Sequence, residues 1–282
     1  MNDKKITSAN DFQYEKNEFR VLIKNYLGSD SIVTIPSVID ELPVTEIAAS
    51  AFDSCEDLIT IEFPNSLLKI GDNAFSNCTS LEEIKLPDSL AEIGSGAFSY
   101  CDTLSSITIS GEVKIGDSAF DGCDSLEMII FSDATKKIQD GAFEDFESLV
   151  AIEFPNSLLK IGDNAFSNCT SLEEIKLPDS LAEIGSGAFS YCENLLKVKL
   201  SNSLVKIGDN AFEGCDSLTS IRFPESLQFI GSGVLSDCYS LANVYIPKSL
   251  KHVTGMENLV EEIREENEEC RIRYLTTKSN LT

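Results

Sequence analysis

Nine cysteines and a single histidine are the residues of this 282-residue chain best suited to chemistry, and their spacing limits what they can do. Eight of the cysteines (Cys55, Cys78, Cys101, Cys123, Cys169, Cys192, Cys215 and Cys238) each stand three residues after a phenylalanine or, once, a leucine. They recur every 22 or 23 residues, and Phe146 occupies the one place where the series skips. Zinc binding and thioredoxin-like redox chemistry call for cysteines a few residues apart, and no C-x-x-C pair occurs. The substitution by Phe146 marks the position as a packing slot. Buried free thiols are therefore expected, which suits a reducing compartment. Cys270 lies outside the series and is the one candidate for an exposed thiol.

The other motifs are equally unproductive. His252 stands alone, without the partner that a general base requires. No G-x-S-x-G, Walker loop or H-E-x-x-H is present. Asp117 to Asp124 is acidic and contains a glycine, but Met128 stands where a calcium loop needs its bidentate acid. Asn77-Cys78-Thr79 and Asn168-Cys169-Thr170 match the glycosylation sequon, yet their asparagines precede the cysteine slot. The expectation is a protein with no catalytic, cofactor or metal site, and hence not an enzyme.

The elements that position these residues are repeats. Ala-Phe, once Val-Leu, recurs from Ala51-Phe52 to Val234-Leu235 in steps of 23 residues, with one step of 22 between Phe98 and Phe120. Ile61 to Cys101 is repeated without change as Ile152 to Cys192, an offset of 91 residues that equals four of these steps. A fixed period of this size signals a solenoid, in which each unit buries its apolar face against its neighbours. In Leu81-Glu82-Glu83-Ile84-Lys85-Leu86-Pro87 the alternation turns Ile84 and Leu86 inward and Glu83 and Lys85 outward. Pro87 suits a corner, and Leu90 and Ile93 give a second extended run. Gly94 is expected to turn the next corner with positive φ. Ser95, or Asp72 in the unit before, is expected to N-cap one or two helical turns carrying Ala97, Phe98 and Cys101.

Cys78 to Phe98 matches every fixed position of C-x-x-L-x-x-I-x-L-P-x-S-L-x-x-I-G-x-x-A-F, and on these residues the chain resembles the BspA-like leucine-rich repeat. The resemblance runs from about Ile32 to Pro247. It implies an α/β repeat fold: a right-handed leucine-rich-repeat solenoid with parallel β-sheet and short helical turns. It also implies protein binding, often at microbial cell surfaces. The expected organisation is an N-terminal, hairpin-like cap over 1–31, a solenoid over 32–247, and a C-terminal cap and tail over 248–282. Within the last segment, Leu259 to Glu269 reads as an acidic helix, Cys270 to Tyr274 as a last strand, and Lys278 to Thr282 as a frayed tail.

A net charge of −25 argues against nucleic acid or an acidic membrane as partner, since both require basic patches. No apolar stretch is long enough to span a bilayer. The residues after Met1 lack the apolar core of a secretory signal, so the sequence as written reads as cytoplasmic, with a cell-surface or secreted setting if an export signal has been removed. The acids gather on the side opposite the strands and read as a solvated surface.

The outward strand positions are where a ligand would sit. Met128 and Ile130 are apolar where their neighbours are polar, and from Lys176 onward the row turns basic with Lys197, Lys199 and Arg222, followed by Tyr245. An apolar spot and a charged strip with an aromatic residue suit a protein interface, engaged by a monomer. Alternatively, Met128 and Ile130 pack against a neighbouring loop, because their coil is irregular: Ser110 and Ser132 replace the proline and Gln139 the glycine. The competing functional expectation is an intracellular inhibitor or immunity-type protein whose acidic surface caps a basic enzyme or toxin.

Overall fold

The computed structural model describes residues 6–275; the first five residues and the tail expected to fray lie outside them. The chain forms two compact units that meet in sequence between Ala134 and Thr135, within the irregular coil. Each unit is a stack of coils with two short strands per coil, and most of these strands pair in parallel with a repeat equivalent.

In the first unit, the face strands Ile32–Thr34, Thr60–Glu62, Glu83–Lys85, Ser106–Ile109 and Met128–Phe131 pair in that order. Register follows the repeat, with Ile84 opposite Ile107 and Ile107 opposite Ile129. A second row consists of Leu42–Ile47, Lys69–Ile70, Glu92–Ile93 and Lys114–Ile115. The antiparallel hairpin Phe12–Lys16/Val21–Tyr26 covers the start of this row, and Val21–Tyr26 pairs in parallel with Leu42–Ile47.

The second unit has face strands Ala151–Glu153, Glu174–Lys176, Lys197–Lys199, Ser220–Arg222 and Asn243–Pro247, and a second row from Lys137–Ile138 to Phe229–Ile230. Helix α1, Met256–Glu266, then buries Met256, Leu259, Val260 and Ile263. After it the chain returns as Arg271–Leu275, paired in parallel with Asn243–Pro247.

Between the two strand rows a phenylalanine column fills each interior. Phe52, Phe75 and Phe98 stack at centroid distances of 4.7 and 5.1 Å, and Phe143, Phe166 and Phe189 at 5.4 and 5.5 Å. These distances follow the strand spacing of about 4.8 Å, because one coil contributes one ring.

The helical turns expected around Ala97 and Phe98 are a chain of single turns. Ala74, Ser76 and Cys78 donate to carbonyls three residues back, at Gly71, Asn73 and Phe75. The intervening N–H groups of Asn73, Phe75 and Asn77 donate instead to Ser95, Ala97 and Ser99 of the next coil. Left-handed backbone at Asn73 (φ 53°) and Asn77 (φ 60°) produces this alternation and stops a helix from propagating. Asp72 is likewise no local N-cap: its Oδ1 accepts from the Ser95 N–H of the next coil at 2.9 Å. Gly94 does not need positive φ. It is required by close approach, since a Cβ there would lie 2.5 Å from the Asp72 backbone nitrogen.

The acidic helix has a structural role. In the last coil Gly233 and Asp237 lack a following coil, and their N–H groups donate to the Glu262 and Glu266 carboxylates of α1 at 3.0 and 3.1 Å. Side-chain carboxylates thus take the place of the carbonyls that the next coil would supply.

The irregular coil also leaves a weak point. Thr135 occupies a leucine slot; it is buried, and its hydroxyl has no hydrogen-bond partner. A buried unsatisfied hydroxyl costs about 1–3 kcal/mol. Thr135→Val, which keeps the shape and removes the hydroxyl, is expected to raise stability by about 1–2 kcal/mol in urea titrations.

Candidate binding face

The outward positions on the face strands are set by alternation, because their flanking residues fill the interior. In the first unit, Ile129 and Phe131 are buried, which leaves Met128 and Ile130 facing outward and half-buried. Their register partners Ser106 and Thr108 are polar. The pair is therefore an apolar spot in a polar row, partly covered.

In the second unit, Lys176, Lys197, Lys199 and Arg222 are exposed and Tyr245 is half-buried. Lys197 pairs with Glu174 at 3.6 Å, while Lys176 and Lys199 face each other in register. Like charges opposite one another on neighbouring strands destabilise a sheet. Arg222 stacks over the Tyr245 ring at 5.1 Å, and Arg273, the register partner of Tyr245 on its other side, lies 5.9 Å from the same ring. Arg273 Nε also donates to Asn243 Oδ1 at 3.1 Å.

Arg271 and Arg273 extend the basic row, and the sequence reading did not place them there. The signal was available in the alternation Arg271-Ile272-Arg273-Tyr274, which repeats the outward–inward pattern of a face strand. Its register is set only by the return after α1. Beside these arginines is a concavity of about 350 Å³ whose lining includes Asn243, Asn267 and Glu269.

Two lysines of the second row are balanced within their own row: Lys69 pairs with Glu92 at 3.0 Å, and Lys160 with Glu183 at 3.2 Å. Seven thiols of the cysteine column are buried, and each of the seven donates to a phenylalanine carbonyl of the preceding coil, as Cys192 does to Phe166 at 3.3 Å. Burial pushes the Cys78, Cys192 and Cys238 thiols up to about 12. Cys55 and Cys270 are both half-buried, so Cys270 is not the one accessible thiol expected, and burial raises both. His252 is exposed at the end of the turn Lys248–His252. Among the described residues no cluster of histidine, cysteine or acid groups could hold a metal, and no helix is long and apolar enough to cross a membrane.

A family model described as the BspA type leucine rich repeat region, in six copies, matches residues 45–170 and 136–256. The chain belongs to this family. Solved structures similar to this BspA-type protein include a leucine rich cell surface protein from Faecalibacterium prausnitzii A2-165, 22% identical over 97% of this chain and 95% of that one, with a TM-score of 0.46. A T. pallidum leucine rich repeat protein is 27% identical over 96% of this chain and 100% of that one, with a TM-score of 0.38. A leucine-rich repeat protein from Bacteroides ovatus ATCC 8483 is 25% identical over 95% and 99%, with a TM-score of 0.36. No curated protein matches the chain. The BspA-type repeat thus accounts for the 23-residue period, the parallel strand rows and the face described above.

Proposed function

We propose that this chain is a non-catalytic scaffold that binds another protein through the outward face of its sheet strands. The basic row of the second unit is the contact surface, and Met128 and Ile130 are a separate candidate contact on the first unit. The observation that carries this reading is a contrast of charge. A chain of net charge −25 places Lys176, Lys197, Lys199, Arg222, Arg271 and Arg273 along one row, with Glu153 and Glu174 as its only acids. Repeat scaffolds bind through such rows, and a basic strip steers an acidic partner toward it. A microbial cell surface is the setting that fits the family. The free thiols do not oppose it, because buried, protonated thiols react slowly whatever the compartment.

The test places a photo-cross-linking amino acid at Lys199 on the face and, separately, at Lys160 on the second row. Cross-linking to one protein from position 199 only is expected, and equal yield from position 160 would remove the face as the site. Combined Lys176→Glu and Lys197→Glu, with the cross-linker kept at position 199, should abolish that adduct with an unchanged melting temperature. For the first unit's own contact, Met128→Asp with Ile130→Lys should weaken partner binding with an unchanged melting temperature; a collapse in melting temperature would instead make the pair part of the core.

A further inference from the structure

The strand Arg271–Leu275 ends its sheet: it pairs with Asn243–Pro247 on one side, and among the described residues no strand pairs with the other. The Arg271 N–H donates inward to Ala242, so by alternation Ile272 and Tyr274 direct their main-chain groups to the open edge. We propose that this edge accepts an extended peptide carrying acidic residues at alternate positions, which adds as a further strand and sets its carboxylates against Arg271 and Arg273. The inference rests on the protein-binding reading above and names where and by what chemistry the partner is held.

Three observations select this occupant. First, an open strand edge offers N–H and C=O groups in a row, which a polypeptide backbone satisfies and a polysaccharide does not. Second, Arg271 and Arg273 are two residues apart on the outward side, so acids at alternate positions of an added strand stand directly opposite them. Opposite charges there are favourable, whereas a second copy of Arg271–Leu275 would set arginine against arginine. Third, Arg273 is already held, its Nε by Asn243 and its guanidinium beside Tyr245, which Arg222 covers from the neighbouring strand. Its remaining N–H groups form a fork suited to bidentate binding of a carboxylate. No carboxylate among the described residues pairs with Arg222, Arg271 or Arg273.

The probe is a labelled, end-blocked peptide of sequence Thr-Glu-Val-Glu-Val-Thr, titrated into the full chain at low salt. Replacing both glutamates by glutamine is expected to weaken binding at least tenfold, as is Arg271→Gln with Arg273→Gln in the protein. Arg273→Lys, which keeps the charge but loses the fork, should fall between. Amide exchange at Ile272 and Tyr274 should slow on binding, a readout that charge attraction alone would not produce. Equal affinity for the glutamine peptide, no exchange protection, or tighter binding of oligogalacturonate would overturn the proposal; so would dimerisation of the free chain through this strand. If the lysine reversals abolish partner cross-linking while the arginine variants bind the peptide unchanged, the edge proposal fails and the face reading stands. Cross-linking indifferent to the lysines removes the face reading instead.

Discussion

Phe166→Ala is expected to cost about 3–5 kcal/mol, which is large against the roughly 5–15 kcal/mol that holds a typical domain together. The ring is fully buried and stacks between Phe143 and Phe189 at 5.4 and 5.5 Å, with Phe154 meeting it edge-on at 5.9 Å. Removing it leaves a cavity that the coil cannot close, because cross-coil hydrogen bonds on either side of the ring fix the stacking distance. Phe166 donates from its own N–H to Ala188 of the next coil, so its backbone cannot sink inward. The duplication supplies an internal control: Phe75 lies in the identical sequence, between Phe52 and Phe98, with Phe63 edge-on at 5.7 Å. Phe75→Ala should cost a similar amount in urea titrations, and Phe→Leu at either position well under half as much. A loss below about 1 kcal/mol at both sites would mean that the column is not the main support of the coils.

The same columns explain which parts of the structure could be read from the residues alone. Ile84, Phe98 and Cys101 recur at one position in most coils, so their burial follows from period and alternation. Most of the strand pairing follows too, since coils of nearly equal length stack in register. What could not be read depends on the neighbouring coil. Ala97, Phe98 and Cys101 have helical spacing, but a chain of single turns has it as well, and only the cross-coil bonds of Asn73, Phe75 and Asn77 decide between them. Asp72 and Gly94 look like a cap and a corner, yet each is explained by a contact one coil away. On the candidate face, the positions of Lys176, Lys197, Lys199 and Arg222 were legible, because they sit inside the repeat. Arg271 and Arg273 were not, because α1 intervenes and resets the register.

Stability should fall steeply above pH 9, and the cysteine column should be the cause. Cys78, Cys192 and Cys238 have an ordinary value of 9.0 that burial raises to about 12. Cys169 and Cys215 are raised well above it by burial, and Cys101 is raised by the neighbouring Cys123 thiol and by burial. Between pH 9 and 12 the unfolded chain releases these protons and the folded chain keeps them. The unfolded state therefore binds fewer protons, and stability declines as pH rises. The contribution is fully present below pH 9 and is lost by the time the folded thiols themselves ionise. Each such thiol contributes a slope of about 1.4 kcal/mol per pH unit, so Cys78, Cys192 and Cys238 alone give roughly 4 kcal/mol between pH 9.5 and 10.5. Urea titrations at pH 8, 9 and 10, with reductant present, would record this decline. Lysine and tyrosine titrate in the same range, so the decisive comparison is with Cys192→Ser and Cys78→Ser. A serine hydroxyl still donates to the Phe166 or Phe52 carbonyl but does not ionise, so each variant should lower the slope by about one proton while starting from its own stability at pH 8. A slope that stays the same in both variants would place the alkaline sensitivity outside the column.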